Sequence, residues 1–372
     1  MIRYLFKNIH SKYQIFLLLF LLISCKNDKI NYHKTVKKPV TDVYFGYEVE
    51  DNYRWLEDDL SAETEEWVKK QNQTTFKYLN QIPFRADLKK RLLKLLDYEK
   101  VSAPFKRGEY TYFYKNSGLQ NQSILYRNND TLEPEVFLDP NKFSIDGTTS
   151  LAGLSFSKDA SLVAYSISEG GADWRKVIVM NTETKELVGD TINNVKFSAI
   201  SWKSNEGFYY SSYEAPEGSK LSSKTDQHIL YYHKLGTKQK SDKVIFGAVP
   251  SEKNRYVRGY VTDDNRFLVI DAAVKTTGNK LFIKDLSKDS ALKTIVGNYD
   301  SNTSLLDNNG NDLILVTDSN SPNKRVVKIN FRNPEQSNWT DLIAEKEFVL
   351  SPSVCGGYIF TKYTVDAISK VY

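Results

Sequence analysis

The chain has little of what catalytic and metal-binding proteins usually display. Its 372 residues include two cysteines, Cys25 and Cys355, and four histidines, His10, His33, His228 and His233. Two thiols cannot build a disulfide framework, and no Cys/His spacing reads as a zinc site. No metal and no cofactor are expected. There is no Gly-x-Ser-x-Gly turn, and no histidine follows His233. A serine hydroxyl without a general base is a poor nucleophile, so no catalytic residue is assigned. Serines such as Ser301 and Ser304 lie in turn sequences and are read as structural. Net charge is also scarce. Against 51 basic residues stand 46 acidic ones, for a formal charge of +5. No basic stripe stands out, which argues against nucleic-acid binding. The apolar run Ile15–Ile23 covers only about half of the ~20 residues needed to span a bilayer.

That run has a different meaning. Arg3, Lys7 and Lys12 precede it, and Leu22-Ile23-Ser24-Cys25 ends it, followed by polar Lys26-Asn27-Asp28. A basic start and a short apolar stretch make a secretory signal peptide. The final tetrapeptide resembles a bacterial lipobox, in which the cysteine is acylated and anchors the chain. Residues 1–24 are read as the signal and 25–38 as a lipidated tether. The protein is expected to be exported and held at the membrane only by lipid on Cys25.

What is abundant is aromatic. There are 24 tyrosines and 19 phenylalanines, with hydrophobic residues at 40% and charged residues at 26%. This is the balance of a folded chain rich in strand formers. Residues 39–99 read as a helical segment. Trp55, Leu56, Trp67, Val68, Phe76 and Leu79 recur at roughly helical spacing up to Pro83, and Leu88, Leu92, Leu93, Leu95 and Leu96 form a wide apolar face beyond it. Ser61 offers an imperfect capping signal.

From residue 100 onward, turns alternate with short apolar runs. Leu162–Tyr165 is followed by Val177–Met180, Gly207–Tyr210 by Ile229–Tyr232, Phe267–Ile270 by Leu281–Ile283, and Leu313–Val316 by Val326–Ile329. An earlier pair is Tyr110–Tyr114 with Ile124–Tyr126. The period of roughly 45 to 60 residues suits propeller blades. A β-sandwich followed by a smaller β-domain is the other arrangement this pattern allows. Five units are complete. A sixth starts at Phe348–Leu350 and Gly357–Phe360, and the sequence stops inside it, so about five and a half blades are expected. An open ring leaves strand edges unpaired, so the chain is expected to be the front part of a longer protein.

Six stretches, in order, resemble the N-terminal and propeller regions of prolyl oligopeptidases. They are Asp51–Asp58, Asn116–Tyr126, Val136–Asn141 with Asp146–Thr148, Gly170–Trp174, Val195–Trp202 and Leu230–Thr237. Asn52 departs from the usual proline. The resemblance implies a mainly β fold, with a seven-bladed propeller capping an α/β-hydrolase domain that carries Ser, Asp and His. It implies a serine endopeptidase that cuts short proline-containing peptides, gated by the propeller, with the helical segment packed on the hydrolase. Residues 100–372 would be the incomplete propeller, and this chain alone would be inactive. The leucine face would then be exposed, packed on the propeller or mobile. Phe197 matches a substrate-contacting aromatic. Other contributors fall near Tyr256 and Ala272–Val274, where Ala273 replaces the arginine of mammalian members. Asp173 and Trp174 read as a strand-end turn with a packed ring. Two other readings remain: a non-catalytic surface lipoprotein propeller that binds peptides or a partner, and a related oligopeptidase that cuts after basic residues.

Overall fold

The computed structural model describes residues 30–129, 133–214, 225–288 and 290–372. The expected signal peptide and Cys25 lie outside these residues. The chain forms two compact units, one ending at Lys94 and the other Leu95–Tyr372.

The first unit contains more than helix. Val40–Tyr44 and Tyr47–Asp51 pair as an antiparallel hairpin. Its two-residue turn, Phe45-Gly46, has positive φ at both positions, which matches the twist of the flanking strands. Arg54 joins this hairpin to the short turn of helix Arg54–Glu57, through Asp42 at 2.5 Å and Asp51 at 3.0 Å. The Asp51–Asp58 motif is therefore a local lock. Helix α1 spans Ala62–Leu79, and Ser61 caps it by accepting from the Glu63 and Thr64 amides. Helix α2, Arg85–Leu96, begins after Pro83, as a proline break predicts. Its leucines at 88, 92, 93, 95 and 96 are each about half exposed.

The expected tether over 25–38 needs correction at its C-terminal end. The Trp55 indole donates to the Val36 carbonyl at 3.0 Å, and the Trp67 indole donates to Thr35 Oγ1 at 3.0 Å. Lys38 pairs with Glu63 at 2.5 Å. Residues 35–38 are thus fastened to the first unit.

The second unit is a β-propeller of six sheets, named here blades I to VI. Blade I is 100–138. Its first strand is split into Lys100–Val101 and Phe105–Arg107, both paired with Tyr110–Asn116, and Pro104 stands in the gap. Blades II (149–196), III (201–246), IV (256–296) and V (303–343) each have four antiparallel strands in sequence order. Blade VI (350–371) has three. The first strands of blades II, III and IV are neighbours, as are those of V and VI, so each blade's first strand is its inner one.

The core is divided among the gaps between blades. Tyr112, Leu125 and Phe137 of blade I meet Val163, Tyr165 and Met180 of blade II. Val177 and Val179 meet Trp202 and Phe208 in the next gap, Leu230 meets Ile270 in the third, and Phe267 and Ile283 meet Leu315 and Val327 in the fourth. Val326 meets Leu350 and Tyr363 in the fifth. Each buried side chain contributes ~1.5–3 kcal/mol by leaving water.

Motif residues hold neighbouring blades together. Gln122 donates to the Thr149 carbonyl at 2.7 Å and accepts from the Leu151 amide at 3.2 Å, tying blade I to blade II. Asp139 caps the turn at Pro140–Lys142 by accepting from the Asn141 amide at 3.1 Å. Because all strands alternate in direction, the links after second and fourth strands emerge at one end of the propeller, and the turns after first and third strands at the other.

Candidate functional site

The first of these ends gathers aromatic side chains from three blades. Trp174 opens the third strand of blade II. Phe197 follows that blade's fourth strand, Ile192–Lys196. Tyr213 and His228 flank the link between the second and third strands of blade III. Tyr256 opens the first strand of blade IV.

Phe197 is the exposed member. The residue is 46% exposed, against 6% for Trp174 and 5% for Tyr213. Its centroid lies 6.3 Å from Tyr213, edge-on, and 6.1 Å from Tyr256, within the range of favourable ring pairs. Its backbone has φ 50°. For a bulky residue this left-handed conformation costs on the order of 1–3 kcal/mol and persists only where the surroundings impose it. Asn194, three residues earlier, also has positive φ, and its carbonyl accepts from Ser212 Oγ. The chain thus turns sharply after buried Lys196 and presents the next side chain to solvent. The Lys196 ammonium lies 5.0 Å from the Trp174 centroid and 5.1 Å from that of Phe197. One cation supports both rings.

His228 pins the patch from below. Its Nδ1 accepts from the Val257 amide at 2.9 Å. That bond puts the ring proton on Nε2, which donates to the Lys196 carbonyl at 2.9 Å. Its ring stacks on Tyr213 at 4.3 Å. Burial lowers the imidazole pKa to about 4, because the charged form is poorly solvated there. Burial also raises the Tyr213 phenol to about 12, with the Tyr256 phenol adding to it. The Tyr213 hydroxyl donates to the Arg255 carbonyl. One histidine thereby connects the ends of blades II, III and IV.

These groups form a contact surface: apolar rings, a cation behind them and a neutral imidazole. The sequence reading gave no site role to Lys196, which lies in the Val195–Trp202 stretch, or to Tyr213 and His228. The signal for His228 was its place before an apolar strand in a chain with few histidines. Trp174 is packed, as its strand-end position suggested, and Tyr256 stands next to Phe197. His233, the other histidine of blade III, is bonded to Asp242 at 2.7 Å and belongs to a separate network. Among the described residues, no group of three or more His, Cys, Asp or Glu side chains is arranged to hold a metal.

The profile described as prolyl oligopeptidase, N-terminal β-propeller domain, matches residues 33–372. The chain is similar to a prolyl endopeptidase of Elizabethkingia miricola, 51% identical over 354 residues, covering 95% of this chain and 50% of that protein. It is similar to prolyl oligopeptidase A of Amanita bisporigera, 31% identical, covering 77% of this chain and 42% of the relative. A solved prolyl endopeptidase structure superposes with a TM-score of 0.66 at 30% identity, covering 91% of this chain and 50% of that one. Prolyl oligopeptidase B of Galerina marginata, bound to a 25mer macrocyclization substrate, gives 0.79 at 25% identity, with 92% and 52% covered. The chain spans about half the length of the curated relatives it matches.

Proposed function

Because the chain belongs to the prolyl oligopeptidase family, through its N-terminal β-propeller domain, we propose that it is the substrate-gating portion of a serine endopeptidase that hydrolyses short peptides after proline. In this reading the ring has seven blades, and an α/β-hydrolase domain supplies the serine, aspartate and histidine. The half-exposed leucine row of helix α2 is the face that docks on the hydrolase. The observation that carries the reading is Phe197, an exposed ring on a strained backbone, supported from behind by a buried lysine. Its role is apolar contact with the residue upstream of the proline. Hydrolysis itself belongs to groups outside residues 30–372.

The test uses the protein expressed from its gene through the natural stop codon. A chromogenic peptide with proline at the cleavage position is expected to be turned over. Phe197→Ala is expected to raise KM about tenfold with kcat little changed, the loss of ~1.4 kcal/mol of apolar contact. Absence of proline-directed turnover in that protein would sink the reading.

Export and lipid anchoring through Cys25 are proposed with it, on the strength of the apolar run and the tetrapeptide that ends it. The wild-type protein is expected to partition into the detergent phase of a cell extract, and Cys25→Ser into the aqueous phase. Equal partitioning of the two would remove the anchor.

A further inference from the structure

A cavity of about 250 Å³ opens between blades IV and V, lined by their first and second strands and by the links that follow the second strands. It borders the aromatic patch. Tyr256 pairs with Ala273 in the register of blade IV, and Ala273 lines the cavity beside Arg258 and Asp271. Tyr256 and Arg258 are two residues apart on one strand and share a face, a separation of about 7 Å.

The charges in the cavity do not balance. Arg258, Lys275 and Lys324 line it, against the single carboxylate of Asp271. That carboxylate is committed: Arg258 Nη2 donates to Asp271 Oδ2 at 2.5 Å, and Asp271 is largely buried. Neither lysine has an ion-pair partner among the described residues. Lys324 stands on a left-handed backbone, φ 69°, its amide donating to the Ser321 carbonyl at 2.7 Å. The rest of the wall includes the neutral polar side chains of Asn279, Asn302 and Thr303. Two uncompensated ammonium groups in a polar recess attract an anion.

We propose that this cavity binds a carboxylate of a peptide lying across the Phe197–Tyr256 patch. The proposal rests on the peptide reading above. The anion is either an acidic side chain two or three residues from the one that covers Phe197, a span of ~7–10 Å for extended chain, or the peptide's terminal carboxylate. The Arg258–Asp271 pair fixes the wall, and Lys275 and Lys324 supply the attraction.

The experiment measures calorimetric affinities of the purified chain for four proline peptides at low salt. The first has one glutamate three residues before the proline's upstream neighbour and an amidated C-terminus. The second has glutamine instead. The third and fourth are the glutamine peptide with a free carboxylate and an acetylated glutamate peptide carrying both anions. Acidic peptides are expected to bind about threefold to tenfold tighter than the neutral one, a difference that shrinks with salt. Whether the first or the third peptide gains identifies the source of the carboxylate. Lys275→Gln combined with Lys324→Gln is expected to erase the gain while leaving the neutral peptide's affinity unchanged. Equal affinity for acidic and neutral peptides in the wild type overturns the proposal. If no peptide binds, the peptide reading fails instead. N-acetylglutamate titrated against the amide resonances of Gly278 and Asn302 then decides the cavity separately: shifts that vanish in the double variant support an anion site, and unmoved resonances reject it.

Discussion

An Asp242→Ala variant is expected to lose about 2–5 kcal/mol of stability, since it strands two buried polar groups at ~1–3 kcal/mol each. Asp242 sits at the end of the link between the third and fourth strands of blade III. Its side chain is 2% accessible, as is that of His233. Oδ1 accepts from His233 Nδ1 at 2.7 Å, and Oδ2 accepts from the Tyr210 hydroxyl at 2.8 Å. The Tyr210 phenol is held far above its ordinary range, first by burial and then by the carboxylate it donates to. Its ring stacks on Tyr231 at 5.4 Å, and His233 lies 5.3 Å from Phe208. The carboxylate therefore joins the second, third and fourth strands of one blade. Alanine removes both acceptors and admits no obvious replacement. Asp242→Asn keeps one carbonyl acceptor and is expected to cost less. Tyr210→Phe removes one donor, so its effect and that of Asp242→Ala should be non-additive. Thermal melts of the three variants check this. A shift of several degrees is expected for Asp242→Ala, at ~2–4 °C per kcal/mol for a unit of this size. A melt within one degree of wild type would show that the triad does not carry the blade.

The same blade shows what is legible in the sequence and what is not. Gly207–Tyr210 and Ile229–Tyr232 stood out because they lie in central strands, covered on both faces, and so read as unbroken apolar runs. In blades II, IV and V the runs singled out are again the second and third strands. The outer strands Ile192–Lys196, Lys243–Phe246, Lys293–Val296 and Thr340–Ile343 were missed. They have four or five residues with only partial burial, and their polar side chains look like loop. The inner strand Thr303–Asn309 was missed because Asp307, Asn308 and Asn309 are turn-forming residue types; Ser304, read as a turn residue, lies inside this strand, and the turn comes at Gly310. The hairpin over 40–51 escaped because two of its ten strand residues are aspartate and two glutamate. Turn chemistry was more readable. Ser157-x-Asp159 and Thr262-x-Asp264 make the same bonded turn: each aspartate accepts from the hydroxyl two residues before it and from an amide two residues after it.

The candidate site was legible only in part, for a physical reason. Phe197 was found through a resemblance, and its significance lies in a φ angle and an exposure that no local pattern encodes. The residues around it come from three blades and are brought together by ring geometry alone. The cationic cavity is more extreme. Arg258, Lys275 and Lys324 are ordinary surface-type residues in sequence, and they become a site only because blade IV stands beside blade V. Sheet periodicity predicts which face a residue takes, but the partner facing it comes from the next blade.

Acid is expected to draw down the stability of the fold through His228. His228 has an ordinary pKa of 6.5 that burial lowers to about 4 in the folded chain. Between these values the unfolded chain binds a proton that the folded chain excludes, so stability rises with pH through that window. The contribution is complete above about 6.5 and is lost as pH falls from there to about 4, amounting to roughly 3 kcal/mol. The structural cost of protonation is specific. A proton on Nδ1 faces the Val257 amide, donor against donor, so the link from blade III to blade IV breaks while the Lys196 carbonyl remains satisfied. Asp159, whose carboxyl is held at about 2 by the Ser161 amide and neighbouring side chains against the cost of its burial, adds acid sensitivity only below the ordinary carboxylate value and so falls outside this window. His228→Gln can accept from the same amide and donate to the same carbonyl, but it cannot titrate. The wild-type chain is expected to lose melting temperature steeply between pH 6.5 and 4, and the glutamine variant to follow a flatter course from a lower start at neutral pH. Peptide affinity at Phe197 should hold through that window and fall only near pH 4, where the folded imidazole itself takes up the proton, and it should do so in the wild type alone, because Lys196 and Tyr256 are the neighbours that His228 holds in register. Parallel pH courses for the two proteins would mean that His228 is not the group that couples the patch to pH.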